Sequence, residues 1–168
     1  MNRTLIRHIA SRRTAVFALL VAATAGPAMA GDDDRQAAAV APLPQYTQEC
    51  AACHLAFPPG LLPASSWQRL MAGLPRHFGT DASLDLASRN AIGAWLQANA
   101  ATHRKLRRET APPAEDRITR ADWFVREHRE VAAATWQRPA IKSAANCGAC
   151  HVNADQGAFN ERDIRIPR

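Results

Sequence analysis

Apolar residues recur at helical spacing along much of the chain, between short breaks that contain proline or glycine. Trp67 and the apolar residues three, four and seven positions after it predict a short helix capped by Ser65 or Ser66. A second apolar face predicts a longer helix that begins at a cap at Ser83 and ends near Ala100. Both stretches therefore predict amphipathic helices that bury one face.

Apolar residues also recur at helical spacing in the second half of the chain. Thr119 and Asp122 resemble a capping box, and the residues that follow predict a helix over roughly 120–134. That helix places Phe124 and His128 on one apolar face. No segment alternates apolar and polar residues as a half-buried strand does, so the sequence predicts an all-α fold.

The first thirty residues have the pattern of an export signal. Arg3, Arg7, Arg12 and Arg13 precede an apolar run over 15–23, and the segment closes with the small residues of Ala28-Met29-Ala30. This order is typical of a secretory signal peptide over 1–30, which predicts a periplasmic protein. An uncleaved membrane anchor is the alternative, but the apolar run is too short for a stable membrane span.

Removing that segment changes the charge balance. The chain has 21 Lys and Arg against 15 Asp and Glu, and four of the basic residues lie in 1–30, so about +2 remains. A charge this small gives no reason to expect nucleic acid binding. The remaining chain is short and poor in aromatic residues, with five Phe, four Trp and one Tyr, so we expect something besides protein to fill its core.

The cysteines point to that component. All four lie in two copies of one pattern, Cys50-Ala51-Ala52-Cys53-His54 and Cys147-Gly148-Ala149-Cys150-His151. Cys-x-x-Cys-His is the attachment site of c-type haem, in which two thiols bind the porphyrin and the histidine binds the iron. Zinc, a disulfide framework or a thioredoxin-like site would use the cysteines but would leave both histidines unexplained. The sequence therefore predicts two covalently bound c-type haems.

We expect each attachment motif to lie on a helix. The first helix should begin near Gln45 and stop at Phe57-Pro58-Pro59-Gly60, which is a strong break. The second should be capped by Ser143 or Asn146.

The sixth ligand of each iron decides the chemistry. Once Met1 and Met29 leave with the signal peptide, the candidates are His77, His103, His128 and Met71. His77 lies in a turn after an amphipathic helix, and His128 lies on an apolar face upstream of the second motif. A solvated His103 and a core Met71 fit their surroundings better than ligation does. A structural role for His77 and His128 is the alternative.

We therefore expect the pairs His54/His77 and His151/His128. Two histidines per iron imply low reduction potentials and leave no open position for a substrate, which favours electron transfer over catalysis.

The chain resembles the dihaem cytochrome c family, small soluble bacterial proteins, over nearly all of the segment after the signal. The residues that carry the resemblance are Cys50-Ala51-Ala52-Cys53-His54, Phe57-Pro58-Pro59-Gly60, Trp67, His77-Phe78-Gly79, Ile92-Gly93-Ala94-Trp95-Leu96, Trp123-Phe124, Glu127-His128, Lys142-Ser143, Asn146-Cys147, Gln156-Gly157 and Phe159. The resemblance implies an electron carrier with two bis-histidine haems, with His54, His77, His128 and His151 as ligands. It also implies redox partners, namely a small oxygen- or nitric-oxide-binding monohaem cytochrome and a membrane b-type cytochrome as electron donor.

The predicted organisation follows from these elements. A flexible leader over 31–44 precedes a first haem lobe over 45–100, a linker over 101–118 and a second haem lobe over 119–168. The linker's basic run, from His103 to Arg108, is either a solvated segment or a docking patch for an acidic partner.

Three other functions remain open at this point. A dihaem peroxidase and a gas-binding haem protein would each need one open iron, and a subunit of a larger redox complex would use the basic run as its interface.

Overall fold

The computed structural model describes residues 40–102, Leu106 and residues 111–168. The predicted signal peptide, most of the predicted leader and His103 with the rest of the basic run lie outside the described residues. All of the described residues belong to one compact unit, Asp34–Arg168. The division into two lobes therefore stays a prediction.

Short helices make up the regular structure of this unit. The α-helices are α1 (Pro44–Cys50), α2 (Ala64–Ala72), α3 (Leu86–Ala98), α4 (Asp122–Glu127) and α5 (Ala133–Trp136). Single 3₁₀ turns lie at Pro59–Leu61, Leu74–Arg76, Ala114–Asp116, Ile118–Arg120, Cys147–Ala149, Ala154–Gln156 and Glu161–Asp163. The described ranges contain no β-strand, only isolated bridges at His77–Thr80 and His151–Ile164, which confirms the all-α fold.

The first apolar cluster joins α1, α2 and α3. Ile92 and Leu96 of α3 are almost completely buried against Trp67 and Met71 of α2. The remaining members are Tyr46, Leu62 and Leu74. This packing explains why the predicted periodicity of both helices is correct, since each one has a face to bury.

A smaller cluster lies around α4. Its members are Leu61, Leu106, Ala121, Trp123 and Phe124. Leu61 and Leu62 are neighbours in the chain but belong to different clusters, so the two clusters meet at the turn after the first motif. Leu106 belongs to the segment predicted as a linker, yet it is buried in this cluster.

An ion pair ties the same segment to α2. The Arg69 guanidinium donates to both carboxylate oxygens of Asp116, at 2.9 Å and 2.6 Å. Asp116 and Glu115 both have a positive φ, which is uncommon for residues other than glycine. Glu115 in turn pairs with Arg117 and Arg120.

The predicted caps of the longer helices are wrong. Ser65 and Ser66 lie inside α2, which follows Pro63 directly and has no side-chain cap. Helix α3 begins at Leu86, where the Asp85 carboxylate accepts hydrogen bonds from two backbone N–H groups. Asp85 directly precedes the helix and reaches these N–H groups, whereas Ser83 lies too early in the chain to reach them.

The predicted helices on the attachment motifs are also wrong in extent. Helix α1 ends at Cys50, and the next three residues of the motif form a turn. The second motif forms only a 3₁₀ turn at Cys147–Ala149, with glycine at its centre. Neither Ser143 nor Asn146 caps it with a side chain.

The helix predicted over 120–134 is shorter than expected. Helix α4 ends at Glu127, and Thr119 lies in the preceding 3₁₀ turn instead of capping it. The residues after Phe124 are mostly charged and exposed, so a longer helix would bury little more. His128 therefore lies at the helix end, where its backbone N–H donates to the Phe124 carbonyl.

None of the helices in the described ranges combines the length and apolar character that crossing a membrane requires.

Candidate haem sites

The first site brings together His54 and His77. Their ring centroids are 6.1 Å apart and their planes meet at 26°. His77 ends the 3₁₀ turn Leu74–Arg76, and the next two residues, Phe78 and Gly79, both have a positive φ. That backbone turns the chain sharply, and a β-bridge from His77 to Thr80 closes the turn. The turn thereby presents the His77 ring to His54.

The second site brings together His128 and His151. Their ring centroids are also 6.1 Å apart, but their planes meet at 79°. The His151 backbone N–H donates to Cys147 O at 2.8 Å, and a β-bridge joins His151 to Ile164. The backbone N–H of Arg165 donates to Cys150 O at 2.8 Å, so the C-terminal segment packs along the motif.

The two sites use the same spacing in opposite order. In the first site, the motif histidine His54 comes before its partner His77 in the chain. In the second site, the motif histidine His151 comes after its partner His128, at the same distance along the chain. The sites are therefore related by reversed order along the chain and not by a sequence repeat.

The spacing of each pair fits a single metal ion between two rings. A histidine nitrogen binds a first-row metal ion at about 2 Å and lies about 1 Å from its ring centre, so two opposing ligands have centroids about 6 Å apart. Both measured separations are 6.1 Å. The residues present therefore fit an iron that is held between His54 and His77 and another that is held between His128 and His151.

Backbone carbonyls orient one ring at each site. His54 Nδ1 lies 2.7 Å from Leu55 O, and His128 Nδ1 lies 2.9 Å from Phe124 O. A carbonyl can only accept, so each Nδ1 carries the proton and donates it. The lone pair is then on Nε2, the nitrogen left to bind a metal.

The other two histidines are partly buried, and burial has an electrostatic consequence. It lowers the pKa of His77, with smaller contributions from His54 and Arg117. Burial also lowers the pKa of His151, and His128 adds to the effect. A lower pKa favours the neutral ring, which is the form that binds a metal.

His151 also carries an unsatisfied atom. Its Nδ1 is buried and has no hydrogen-bond partner among the described residues. Such an atom costs free energy unless another group satisfies it, so its presence marks a site built for more than the protein atoms.

The four motif cysteines are free thiols in this structure, which gives no support to a disulfide framework. Burial raises the pKa of the Cys50 thiol to about 11 and also raises the pKa values of Cys147 and Cys150. Cys53 is exposed. The haem-free thiols at Cys50, Cys147 and Cys150 are therefore held in their protonated form.

The remaining candidate ligand among the described residues lies elsewhere. Met71 is buried in the first apolar cluster, where it packs against α3. It therefore has the core role expected from its neighbours.

The sequence did not predict most of the aromatic rings that contact the histidines. Phe57 stacks on His54 at 5.1 Å and 27°, although the sequence analysis gave Phe57 no role beside the histidine. Trp136 and Phe159 lie against His128 and His151 at 5.8 Å and 5.3 Å. Only Phe124, one helical turn before His128, carried a signal of its own.

Two attachment motifs, each with its histidine facing a second histidine at metal-binding distance, define a c-type cytochrome with two haem sites. The family model for Dihaem cytochrome c matches residues 46–159. The chain belongs to the dihaem cytochrome c family and carries two covalently attached c-type haems.

The chain is also similar to solved structures of dihaem cytochromes c. A diheme cytochrome c from Rhodobacter sphaeroides is 46% identical, with a TM-score of 0.65, and the match covers 73% of this chain and 100% of that one. A diheme cytochrome type c from Shewanella baltica OS155 is 34% identical, with a TM-score of 0.64, and the match covers 74% of this chain and 92% of that one. A comparison with curated proteins gave no match.

Proposed function

We propose that the chain is a periplasmic electron carrier that uses two low-potential haems, each closed by two histidines. The observation that carries the proposal is the 6.1 Å separation of the ring centroids, which recurs in both sites. When bound, each haem supplies an iron that takes one electron from a reduced donor and gives one electron to an oxidised acceptor. No proton or substrate atom is transferred in that exchange.

The protein's own part would be to hold each iron between two histidines. The carbonyls of Leu55 and Phe124 fix the proton on Nδ1 of His54 and His128 and so direct Nε2 towards the metal. The partial burial of His77 and His151 favours their neutral rings. An iron closed in this way offers no position to peroxide or to a gas, and this supports a carrier over an enzyme.

Ligation by two histidines also bears on the potentials. A second imidazole stabilises ferric iron more than a methionine sulfur does, and cytochromes with a methionine ligand have higher potentials. Met71 is buried in the apolar core, which supports histidine at both sixth positions. We therefore propose that both haems have low potentials.

Carbon monoxide added to the reduced protein tests this proposal, because it binds ferrous haem only where an axial position is open. We expect the low-spin absorption spectrum to remain unchanged. The variants His77→Gly and His128→Gly serve as positive controls, each of which should bind carbon monoxide at one of the two haems. A shift in half of the haem signal of the unmodified protein would contradict the proposal and favour a peroxidase or a gas-binding protein.

The proposed location is the periplasm, on the pattern of residues 1–30. Covalent attachment of c-type haem fits that location. Cell fractionation of the producing bacterium tests it, and haem-loaded protein confined to the cytoplasm would exclude it.

We propose redox partners on the family resemblance, namely a membrane b-type cytochrome as donor and a small monohaem cytochrome as acceptor. Rapid mixing of the reduced protein with an oxidised monohaem cytochrome of that type tests the acceptor. Electron transfer no faster than that to an unrelated cytochrome would exclude it.

A further inference from the structure

The two sites share a ring separation but differ in the angle between their rings. The planes of His54 and His77 meet at 26°, which is closer to parallel, whereas those of His128 and His151 meet at 79°, which is nearly perpendicular. The difference has a structural cause that can be traced at the second site.

Phe124 holds the His128 ring in two ways. Its carbonyl accepts hydrogen bonds from the His128 backbone N–H at 3.1 Å and from Nδ1 at 2.9 Å. Its own ring stacks on the imidazole, with centroids 4.0 Å apart and planes at 21°. The carbonyl fixes the edge of the imidazole and the stacked ring fixes its plane, so little freedom is left for rotation about the side chain.

Phe124 is itself firmly placed. Only 7% of its surface is exposed, and it belongs to the apolar cluster of α4. Its ring meets that of Trp123 edge-on at 75° and lies 6.3 Å from that of Trp136. The stacked pair of Phe124 and His128 therefore takes its orientation from the packed core.

The opposing ring is held independently. The His151 backbone is fixed by Cys147 O and by the bridge to Ile164, and Phe159 meets its ring edge-on at 69°. Since different segments hold the two rings, their mutual angle is a property of the fold. At the first site the stacked partner of His54 is Phe57, and His54 and His77 meet at 26°.

The angle matters to a ferric low-spin iron with one unpaired d electron. Each imidazole donates π electrons to the d orbital that lies perpendicular to its ring plane. Parallel rings both act on the same one of two iron d orbitals, so the energy of that orbital differs from the energy of the other. Perpendicular rings act on one of the two orbitals each, so the two orbitals stay nearly equal in energy. The electron then keeps a large orbital magnetic moment, and the electron paramagnetic resonance signal is strongly anisotropic.

We propose that Phe124 is a positioning residue that makes the second haem electronically distinct from the first, by holding His128 nearly perpendicular to His151. The inference rests on the proposed bis-histidine ligation. It assigns the difference between the two irons to one aromatic side chain that acts through the His128 ring.

Low-temperature electron paramagnetic resonance of the oxidised holoprotein tests the proposal. We expect two low-spin signals of equal integrated intensity, one strongly anisotropic with a single dominant low-field feature and one rhombic. Two rhombic signals would overturn the proposal and leave bis-histidine ligation intact. A high-spin signal would instead contradict the proposed function, so the two failures can be told apart.

The variant Phe124→Met tests the role of the ring, because methionine keeps much of the side-chain volume but has no flat face. We expect its anisotropic signal to shift towards the rhombic form while the rhombic signal of the first haem stays in place. Phe124→Tyr keeps the stacking ring and should keep the anisotropic signal. The matched variant Phe57→Met, which alters the ring on His54, should leave the anisotropic signal unchanged.

Haem content and the low-spin absorption spectrum show whether each variant still holds two six-coordinate haems. If Phe124→Met does, an unchanged anisotropic signal would overturn the proposal. If Phe124→Met loses a haem or a ligand, the same measurement is made on Phe124→Leu. The electron paramagnetic resonance spectrum of the unmodified protein still decides whether the two haems differ.

Discussion

A histidine binds iron only as a neutral ring with a free nitrogen lone pair, and at both sites the neighbouring residues favour that form. Backbone carbonyls hold the proton on Nδ1 of His54 and His128, and burial lowers the pKa values of His77 and His151. Residues beside the four histidines therefore set the protonation form that each ring offers.

Two glycines with similar space around them should respond oppositely to alanine. At Gly93, inside α3, an added Cβ would meet Met71 at an ordinary contact distance of 3.8 Å, and the φ is helical. Gly93→Ala should therefore stabilise the fold by about 0.5–1 kcal/mol, because alanine is the better helix former. At Gly157 the nearest atom would be 3.6 Å away, but φ is +72°. Gly157→Ala should therefore destabilise the fold by about 1–2 kcal/mol.

Denaturant unfolding of both variants, followed by circular dichroism, measures the difference. A loss of stability in Gly93→Ala would mean that the α2–α3 contact cannot admit a methyl group. An unchanged midpoint in Gly157→Ala would mean that the left-handed turn is not needed.

At the scale of elements, a single carboxylate begins the longest helix. Asp85 accepts from the Ser88 hydroxyl and from the backbone N–H groups of Ala87 and Ser88, at 2.9 Å and 3.0 Å for the latter two. The Ser88 hydroxyl contributes most to lowering the pKa of Asp85, and the backbone N–H groups add to the effect.

The stability that this carboxylate contributes should depend on pH. Its pKa is lower in the folded state than the value of about 3.9 in an unfolded chain, so its contribution is fully present above that value. The contribution is lost as the pH falls through the folded-state pKa. Asp85→Asn keeps an acceptor oxygen without the charge, so its denaturation midpoint should lie below that of the unmodified protein at neutral pH. The two midpoints should converge below about pH 4. A constant difference down to about pH 2 would contradict this assignment.

The helices α2 and α3 were predictable from the sequence, but the extent of the helices at the two attachment motifs was not. The periodicity of α2 and α3 was informative because each buries a face, as the almost complete burial of Ile92 and Leu96 shows. The residues after Phe124 are mostly charged and exposed, so little apolar burial would support α4 beyond Glu127. The starts of the helices depended on Asp85 and Pro63, whose hydrogen bonds and backbone geometry a periodic pattern does not contain.

The sequence named the histidines that the structure brings together in pairs, but not the geometry of the pairs. The paired motifs identified the attachment cysteines and their histidines, and the few remaining histidines limited the choice of sixth ligands. The ring angles could not be predicted, because they depend on Phe57, Phe124 and Phe159, which come from distant or unpredicted contacts.

At the scale of the whole molecule, the apolar core formed by the described residues is small. Its two clusters contain seven and five buried residues, which is little for a unit of this length. We therefore expect the haem-free chain to be largely unfolded, since haem would supply much of the buried surface.

Cysteine variants allow that expectation to be measured. A variant that lacks all four motif cysteines should lose most of its helical circular dichroism signal. Loss of Cys50 and Cys53 alone should cost more of the signal than loss of Cys147 and Cys150, because three of the five α-helices in the described part of the chain lie between Pro44 and Ala98. Native-like helix content without any haem would show that the protein core suffices.

The reversed order of the proposed ligands along the chain also bears on how accurately the sites would assemble. Each proposed pair closes a short loop, and the two loops are equal in length. The crossed pairs, His54 with His128 and His77 with His151, would each close a loop roughly three times as long, and loop-closure entropy disfavours the longer loop by about 1 kcal/mol. That difference is a roughly five-fold preference for the proposed pair at each iron. With the proposed ligation, a folding chain in which both haems are already attached is thereby biased against misligation before any tertiary contact has formed.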